Sequence, residues 1–238
     1  MGQPPVIEAV VLAGGFGTRL AKHVPGVPKP LAPVSDRPFF EHQIDWLAAQ
    51  GVTRATITIH HLSEQFVTYI NRRPDTGIEL RIAEEAQPLG TGGAVKNAIH
   101  QGGIDQPLLV INGDTDFEFA LPPLMAAHRA HKAAATVAVA DVPNVARFGT
   151  VTMVGDRITG FVQASGAPLR GQVNAGAYIL EPEEIVGYPG TVFSLETDFL
   201  PDLARSERLY GYVLAGAETF HDIGTPESYD QFRRTFEA

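Results

Sequence analysis

Cysteine is absent from the 238-residue chain, which excludes disulfides, thiolate metal centres and cysteine nucleophiles together and suits a reducing compartment such as the cytoplasm. Basic residues are scarce. Eighteen Lys and Arg against 27 Asp and Glu leave a net charge of -9, which argues against binding nucleic acid or an anionic membrane except through a small local patch. No apolar run approaches the ~18 residues of a membrane span, and the stretch from Val6 to Ala13 is short and interrupted by Glu8. Val6 stands where a myristoylation signal carries Ser or Thr, so no lipid anchor is expected.

What remains is the balance of an ordinary globular protein, 44% hydrophobic and 19% charged, long enough for a sizeable core. A β-branched run from Val6 to Leu12 ends in Ala13-Gly14-Gly15-Phe16-Gly17-Thr18 and reads as a buried strand feeding a glycine-rich loop. A helix follows, with start signals at Asp36 and Pro38, an apolar face of Phe40, Ile44, Leu47 and Ala48, and a stop at Gly51. Strands are then predicted at Thr56 to Ile59, Ile78 to Ala83 and Leu108 to Ile111, with helices from about Ser63 to Arg73 and from near Gly92. This alternation implies βαβ units.

Beyond Ala134 the text becomes strand-rich, with Thr136 to Ala140, Gly149 to Val154, Arg157 to Val162 and Gln172 to Leu180. A helix from about Leu195 to Arg205 and a strand near Tyr210 to Leu214 follow. The last helix is capped by Thr225 with Pro226 at N1, and its apolar face carries Tyr229, Phe232 and Phe236. The expected fold class is α/β: a Rossmann-like mixed, largely parallel sheet flanked by helices, with antiparallel strand extensions in the C-terminal half. No internal repeat or linker interrupts it, so residues 1–238 read as one unit.

The local basic patch lies at the start. From Ala9 to Ser35 there is no acid, while Arg19, Lys22 and Lys29 are basic. Gly14, Gly15 and Gly17 let backbone N–H groups approach an anion, so loop and bases together suit a polyphosphate; the plainer reading is a strand-to-helix turn with solvated bases. Neither a Walker A lysine nor a complete G-x-G-x-x-G is present. Asp114 follows the Leu108 to Ile111 run and Asn112-Gly113, beyond a strand's carboxyl end, where open α/β sheets bind ligands. A turn residue beside Asn-Gly is the alternative. Asp222 precedes the last helix. Two carboxylates beside phosphates suit Mg2+, which keeps several waters. His60-His61, His128 and His131 lack a third ligand at fixed spacing and are assigned no metal.

Leu12-Ala13-Gly14-Gly15-Phe16-Gly17-Thr18-Arg19-Leu20, Pro28-Lys29-Pro30-Leu31, Asn112-Gly113-Asp114, Asn174-Ala175-Gly176 with Tyr178, and Asp222-Ile223-Gly224-Thr225-Pro226 resemble the sugar-phosphate nucleotidyltransferases over residues 6 to 236. Pro88-Leu89-Gly90-Thr91-Gly92-Gly93-Ala94 and Phe193-Ser194-Leu195-Glu196 look most like the D-glycero-α-D-manno-heptose 1-phosphate guanylyltransferases of surface polysaccharide synthesis, where capsule and lipopolysaccharide are made. N-acetylmuramate 1-phosphate uridylyltransferases share much of the glycine segment, and mannose 1-phosphate guanylyltransferases stay open as well.

The resemblance implies attack by a sugar 1-phosphate oxygen on the α-phosphorus of a nucleoside triphosphate, GTP by preference, with Mg2+ as cofactor and a nucleoside diphosphate sugar and pyrophosphate as products. It implies a nucleotide-binding part at about 6–130 and a sugar-binding part at about 131–238. Arg19 and Lys29 would be catalytic; Leu12, Gly14, Gly15, Gly17, Thr18, Glu85, Gly90 and Thr91 would bind the nucleotide. Gly149, Asn174 and Glu196 would meet the sugar, and Asp114 and Asp222 the metal. Glu85 matches guanine chemically, because a carboxylate accepts its N1–H and N2–H as a pair; without the resemblance it reads as an exposed strand-end acid.

One departure stands out. Family members carry Glu-Lys after a Phe-x pair, but Phe161-Val162 is followed here by Gln163-Ala164. Arg147 or Arg170 would then supply the missing cation, or the sugar phosphate leans on Lys29 and Mg2+ alone, or the protein binds its sugar weakly. A non-catalytic nucleotide-sugar-binding regulatory subunit is the competing class. A dinucleotide oxidoreductase fits poorly, since the glycine spacing is wrong and the first acid after the loop is Asp36. The expected partners are the two substrates, with no nucleic acid and no membrane; a homo-oligomer is compatible with the sequence.

Overall fold

The computed structural model describes residues 7–15, 20, 23–60, 63–73, 77–163, 166, 169–216 and 220–236. The chain runs through β1 (Glu8–Leu12), a 3-10 turn (Lys29–Leu31), β2 (Pro33–Val34), β3 (Arg37–Pro38), α1 (Phe39–Ala49), β4 (Arg54–Ile59), α2 (Ser63–Arg72), β5 (Glu79–Glu84), α3 (Gly90–Gly102) and β6 (Leu108–Asn112). It continues through β7 (Thr115–Phe117), α4 (Leu121–His131), β8 (Ala135–Val142), β9 (Thr150–Val154), β10 (Arg157–Val162), β11 (Gly171–Leu180) and α5 (Pro182–Gly187). A π-helical turn (Leu195–Phe199) leads into α6 (Leu200–Arg205), and β12 (Leu209–Val213), β13 (Phe220–Asp222) and α7 (Pro226–Arg234) complete it.

Among the described residues nine strands form one sheet in the order β5-β4-β1-β6-β11-β8-β12-β10-β9. The first four pair in parallel, as the βαβ grammar predicts. β11 is antiparallel to both β6 and β8, and β9 and β10 form an antiparallel pair at the far edge. β12 departs from the expected antiparallel half: it lies parallel to β8, because α6 carries the chain back across the sheet before β12 begins. The fold is thus a Rossmann-like, mixed and largely parallel sheet between helices.

The period-two alternation of the strands divides the core. In β1, Ala9 and Val11 face the layer of α1, α2 and α4, where Phe40, Ile44, Leu47, Phe66 and Leu124 pack. Val10 points the other way, towards Val95, Ile99, Phe199 and Leu200 of α3 and the α6 region. A third, smaller cluster joins Leu20, Val34 and Phe39 to Ile223, Tyr229 and Phe232. It docks α7 against the start of α1, helped by a hydrogen bond from the Tyr229 hydroxyl to the Pro33 carbonyl.

Several local expectations need correction. Asp36 does not cap α1, whose N-cap is Pro38 without a side-chain hydrogen bond; Asp36 sits in the turn between β2 and β3. α3 opens at Gly90, not near Gly92, and the helix expected from Leu195 starts as a π turn. Phe236 lies past the end of α7 and is exposed, although its ring packs against His42 and Phe232. The Thr225 cap is as expected: its hydroxyl accepts the Ser228 N–H, and Pro226 follows. Sequence reading passed over α4, β7 and β13. No helix among the described residues is long and apolar enough to cross a membrane.

The site is positioned by two junctions. β1 and β6 end side by side, with Leu12 opposite Asn112, and the Gly113 N–H donates to the Leu12 carbonyl at 3.0 Å. β7 and β13 form a separate two-stranded ladder in which Thr115 faces Asp222. A Cβ on Gly113 would stand 2.6 Å from the Leu12 carbonyl oxygen and 3.1 Å from Ala13 Cα, so backbone itself must shift. Gly113→Ala is expected to destabilise the fold by about 1–3 kcal/mol, read as the midpoint of urea unfolding; an unchanged midpoint would contradict this close approach.

Candidate active site

A cavity of about 430 Å³ opens at the carboxyl ends of β1, β4 and β6, the side on which open α/β sheets bind ligands. Leu12, Gly14, Gly15, Lys29, Glu85, Gly90, Thr91, Asp114 and Glu196 all line it. Most of the residues singled out in sequence therefore converge. Gly17, Thr18 and Arg19 fall outside the described residues, as do Lys22 and Ala164.

At one end, Asp114 leaves the Asn112-Gly113 turn and forms an ion pair with Lys29, whose ammonium is carried by the 3-10 turn. The Asp114 carbonyl accepts the Ile223 N–H at 2.9 Å, which ties the turn to the strand bearing Asp222. The Asp222 carboxylate accepts the Gly224 N–H at 2.5 Å and is paired with Arg147 at 2.8 Å. Burial, and then repulsion by Asp114, push the Asp222 carboxyl up, while Lys29 draws it down. These are the marks of two carboxylates close enough to feel each other, with a cation against each.

That donor set fits a hard divalent cation. Both ligand groups are carboxylates, and no group of three or more His, Asp or Glu gathers for a metal among the described residues. An ion here would complete its shell with water and phosphate oxygens, as Mg2+ does. Of the described histidines weighed in sequence, His128 is buried between Thr136 and Glu181, His131 stacks on Tyr210, and the His60 ring bonds the Glu85 carbonyl. Of the two arginines considered for the missing cation, Arg170 pairs with Asp141 on β8, and only Arg147 stands at these carboxylates.

At the other end lies Glu85. It is 7% exposed, so the exposed strand-end reading is wrong. Its Oε2 accepts the Leu89 N–H at 3.0 Å, and its Oε1 would lie 2.7 Å from a Cβ on Gly14. A side chain at Gly14 would push the Glu85 carboxylate from its place. Burial pushes the Glu85 carboxyl up, and the Leu89 N–H offsets part of that.

The glycine run at the start of α3 has a packing reason that sequence did not reveal. Gly90 has φ 72°, and a Cβ there would meet the Phe193 carbonyl at 2.5 Å; the N–H groups of Gly92 and Gly93 both donate to that carbonyl. Thr91 lines the cavity, and its hydroxyl is engaged within the wall. Its hydroxyl donates to Glu196 at 2.7 Å and accepts the Leu195 N–H at 2.8 Å. Glu196 is held further by Ser194 and by the buried Tyr178 hydroxyl, which burial, then Glu196, keeps protonated by pushing its pKa well above the usual phenol value.

Gly149 and Asn174 do not line the cavity. The Asn174 amide donates to the Tyr178 hydroxyl at 2.9 Å and accepts the Gly176 N–H, forming a bulge in β11 that lets Gly176 pass Asn112. Asn174 reaches the site only through Tyr178 and Glu196. Sequence reading missed Gln43, a fully buried amide on α1. The signal was available, since it interrupts a face otherwise made of Phe40, Ile44 and Leu47.

The family described as nucleotidyl transferase matches residues 8–237. A D-glycero-alpha-D-manno-heptose 1-phosphate guanylyltransferase of Aneurinibacillus thermoaerophilus is 33% identical over 228 residues, covering 94% of this chain and 95% of that protein. A probable mannose-1-phosphate guanylyltransferase 2 of Arabidopsis thaliana is 32% identical over 231 residues, and the chain spans 63% of that protein's length. Among solved structures, HddC from Yersinia pseudotuberculosis complexed with GMP-PN has a TM-score of 0.86 at 30% identity, covering 97% of this chain and 100% of that one.

The β7 strand beside the site also sets a pH dependence. Burial, then repulsion by Glu118, push Asp116 up to about 6. A carboxyl raised in the fold penalises stability when ionised, so the penalty is absent below the unfolded value, grows as pH rises and is complete above the folded one. Asp116→Asn should raise stability by about 1–2 kcal/mol at pH 8 and leave it unchanged at about pH 3, measured by urea unfolding at both; an equal effect at the two pH values would contradict this.

Proposed function

The chain belongs to the nucleotidyl transferase family, and on that premise we propose that it transfers the guanylyl group of GTP to a sugar 1-phosphate, D-glycero-α-D-manno-heptose 1-phosphate. The products are a GDP-sugar for surface polysaccharide synthesis and pyrophosphate, and the reaction belongs in the cytoplasm, where GTP is. The observation that carries this reading is one cavity lined by Lys29, Asp114 and the buried Glu85 carboxylate, with Asp222 outside its lining but close enough to Asp114 and Lys29 to feel both charges.

An oxygen of the sugar phosphate attacks the α-phosphorus; a new P–O bond forms as the bond to pyrophosphate breaks, and no covalent enzyme intermediate is needed. Both reactants are polyanions, so the protein's task is positioning and charge neutralisation. Asp114 and Asp222 would hold Mg2+, which when bound would supply Lewis acidity and a template for phosphate oxygens. Lys29 places a compact charge beside the α-phosphate, and Arg19 grips the triphosphate with its planar fork. Leu12 and the glycine loop, with Gly14, Gly15, Gly17 and Thr18, present backbone to the nucleotide, and Gly90 and Thr91 close its base end. Glu85 accepts guanine N1–H and N2–H.

For the sugar, Glu196 offers a carboxylate already oriented by Thr91, Ser194 and Tyr178, with Asn174 behind it through Tyr178; Gly149, outside the cavity lining, is left without a direct role. Arg147 supplies the cation that the chain lacks at Ala164. Mannose 1-phosphate is the second reading, favoured by the similarity to the plant protein. A regulatory subunit without turnover is disfavoured by the intact Lys29, Asp114 and Asp222.

Pyrophosphate release should be fastest with GTP and the heptose 1-phosphate in a panel of four nucleoside triphosphates crossed with heptose, mannose, glucose and N-acetylmuramate 1-phosphates, and should require Mg2+; silence across the panel would reject the reading. Lys29→Ala and Asp114→Asn should each lower kcat by about a hundredfold or more with little change in Tm, and near-normal turnover in either would break the assignment. Glu85→Gln should erode the preference for GTP over UTP by about tenfold. Guanine needs the ionised carboxylate, so GTP affinity should fall on acidification at a higher pH than an ordinary Glu would give, and this limb should vanish in Glu85→Gln. An unchanged base ratio would discard that role.

A further inference from the structure

We infer that Gln43 is a positioning residue for Asp114, a clamp reaching from α1 onto the turn that presents this carboxylate; the inference rests on the reading of Asp114 as a cation ligand. The Gln43 side chain is fully buried. Its Nε2 donates to the Asn112 carbonyl at 2.9 Å and to the Thr115 carbonyl at 2.8 Å. Those two carbonyls bracket Gly113 and Asp114, so both amide hydrogens act on the turn, one at its entry and one at its exit.

The amide orientation is fixed by chemistry. Turning the group over would aim Oε1 at two carbonyl oxygens, whereas the present setting leaves Oε1 buried without a partner. A buried polar atom left unsatisfied is unfavourable, and leucine or methionine would fill the space between Phe40, Ile44 and Leu47 without that penalty. The amide's presence on this face is therefore explained by the two bonds it donates. From the side of α1, the two bonds of Gln43 hold the backbone on either side of Gly113 and Asp114. Other tethers act from elsewhere: Gly113 N–H to Leu12 and Ile223 N–H to the Asp114 carbonyl from the neighbouring strands, the ladder pairings of Asn112 with Leu12 and of Thr115 with Asp222, and Lys29 on the Asp114 carboxylate itself. Release of the clamp frees the Asp114 carboxylate to turn away from Asp222, while Glu85 at the far end of the cavity is untouched.

The test compares Gln43→Met with the wild-type chain, with Asp114→Asn, and with Leu124→Ala, a core substitution in α4 that lowers Tm without touching the turn. Mn2+ binding is read by the electron paramagnetic resonance of the free ion in the presence of a non-hydrolysable GTP analogue, alongside the Mg2+ concentration for half-maximal turnover and the GTP to UTP ratio. Gln43→Met should weaken Mn2+ binding at least fivefold and raise the Mg2+ requirement in parallel, with the base ratio unchanged and with Leu124→Ala at wild-type Mn2+ affinity. Mn2+ affinity within twofold of wild type in Gln43→Met, or an equal loss in Leu124→Ala, would overturn the clamp. Gln43→Leu serves as the second probe if the Met variant does not fold, with the same expectations. Unchanged Mn2+ affinity in Asp114→Asn would instead reject the reading of Asp114, and the clamp with it.

Discussion

The pairing of β7 with β13 is the constraint on which the site depends. Each is only three residues long, yet their ladder sets Thr115 opposite Asp222 and so brings together two carboxylates from distant parts of the chain. Burial and mutual repulsion make that proximity unfavourable unless positive charge stands nearby, and Lys29 and Arg147 supply it here. A divalent ion and the phosphates of a substrate would take over the same role, releasing both cations to face phosphate.

The opposite end of the cavity is organised by packing. The Phe193 backbone receives the glycine-rich start of α3, and Thr91 joins that start to Glu196. The wall that would face the base and the wall that would face the sugar are therefore one hydrogen-bonded body.

Much of this was legible in sequence, for reasons that differ from element to element. The Leu108 to Ile111 run and its β1 counterpart could be read as buried parallel strands because both faces of such strands are apolar. Thr225-Pro226 marked a helix start because capping is a local matter. β7 and β13 were invisible: Thr-Asp-Phe and Phe-His-Asp have no strand periodicity, and only their tertiary partner makes them strands. α4 was hidden by Pro122 and Pro123, which read as breakers but sit in its first turn, where proline is tolerated. The convergence of Lys29, Asp114 and Glu85 followed from chain ends and the resemblance, whereas the burial of Glu85, the commitment of the Thr91 hydroxyl and the pairing of Arg147 with Asp222 depend on contacts no local pattern encodes.

The central claim is that Asp114 and Asp222 jointly hold a divalent ion against the nucleotide phosphates. Anomalous diffraction from crystals grown with Mn2+ and a non-hydrolysable GTP analogue tests it most directly. The account predicts a manganese peak between the two carboxylates, with Lys29 moved from Asp114 onto phosphate. A peak elsewhere, or nucleotide bound with the Lys29 to Asp114 pair intact and no ion between the aspartates, would contradict it.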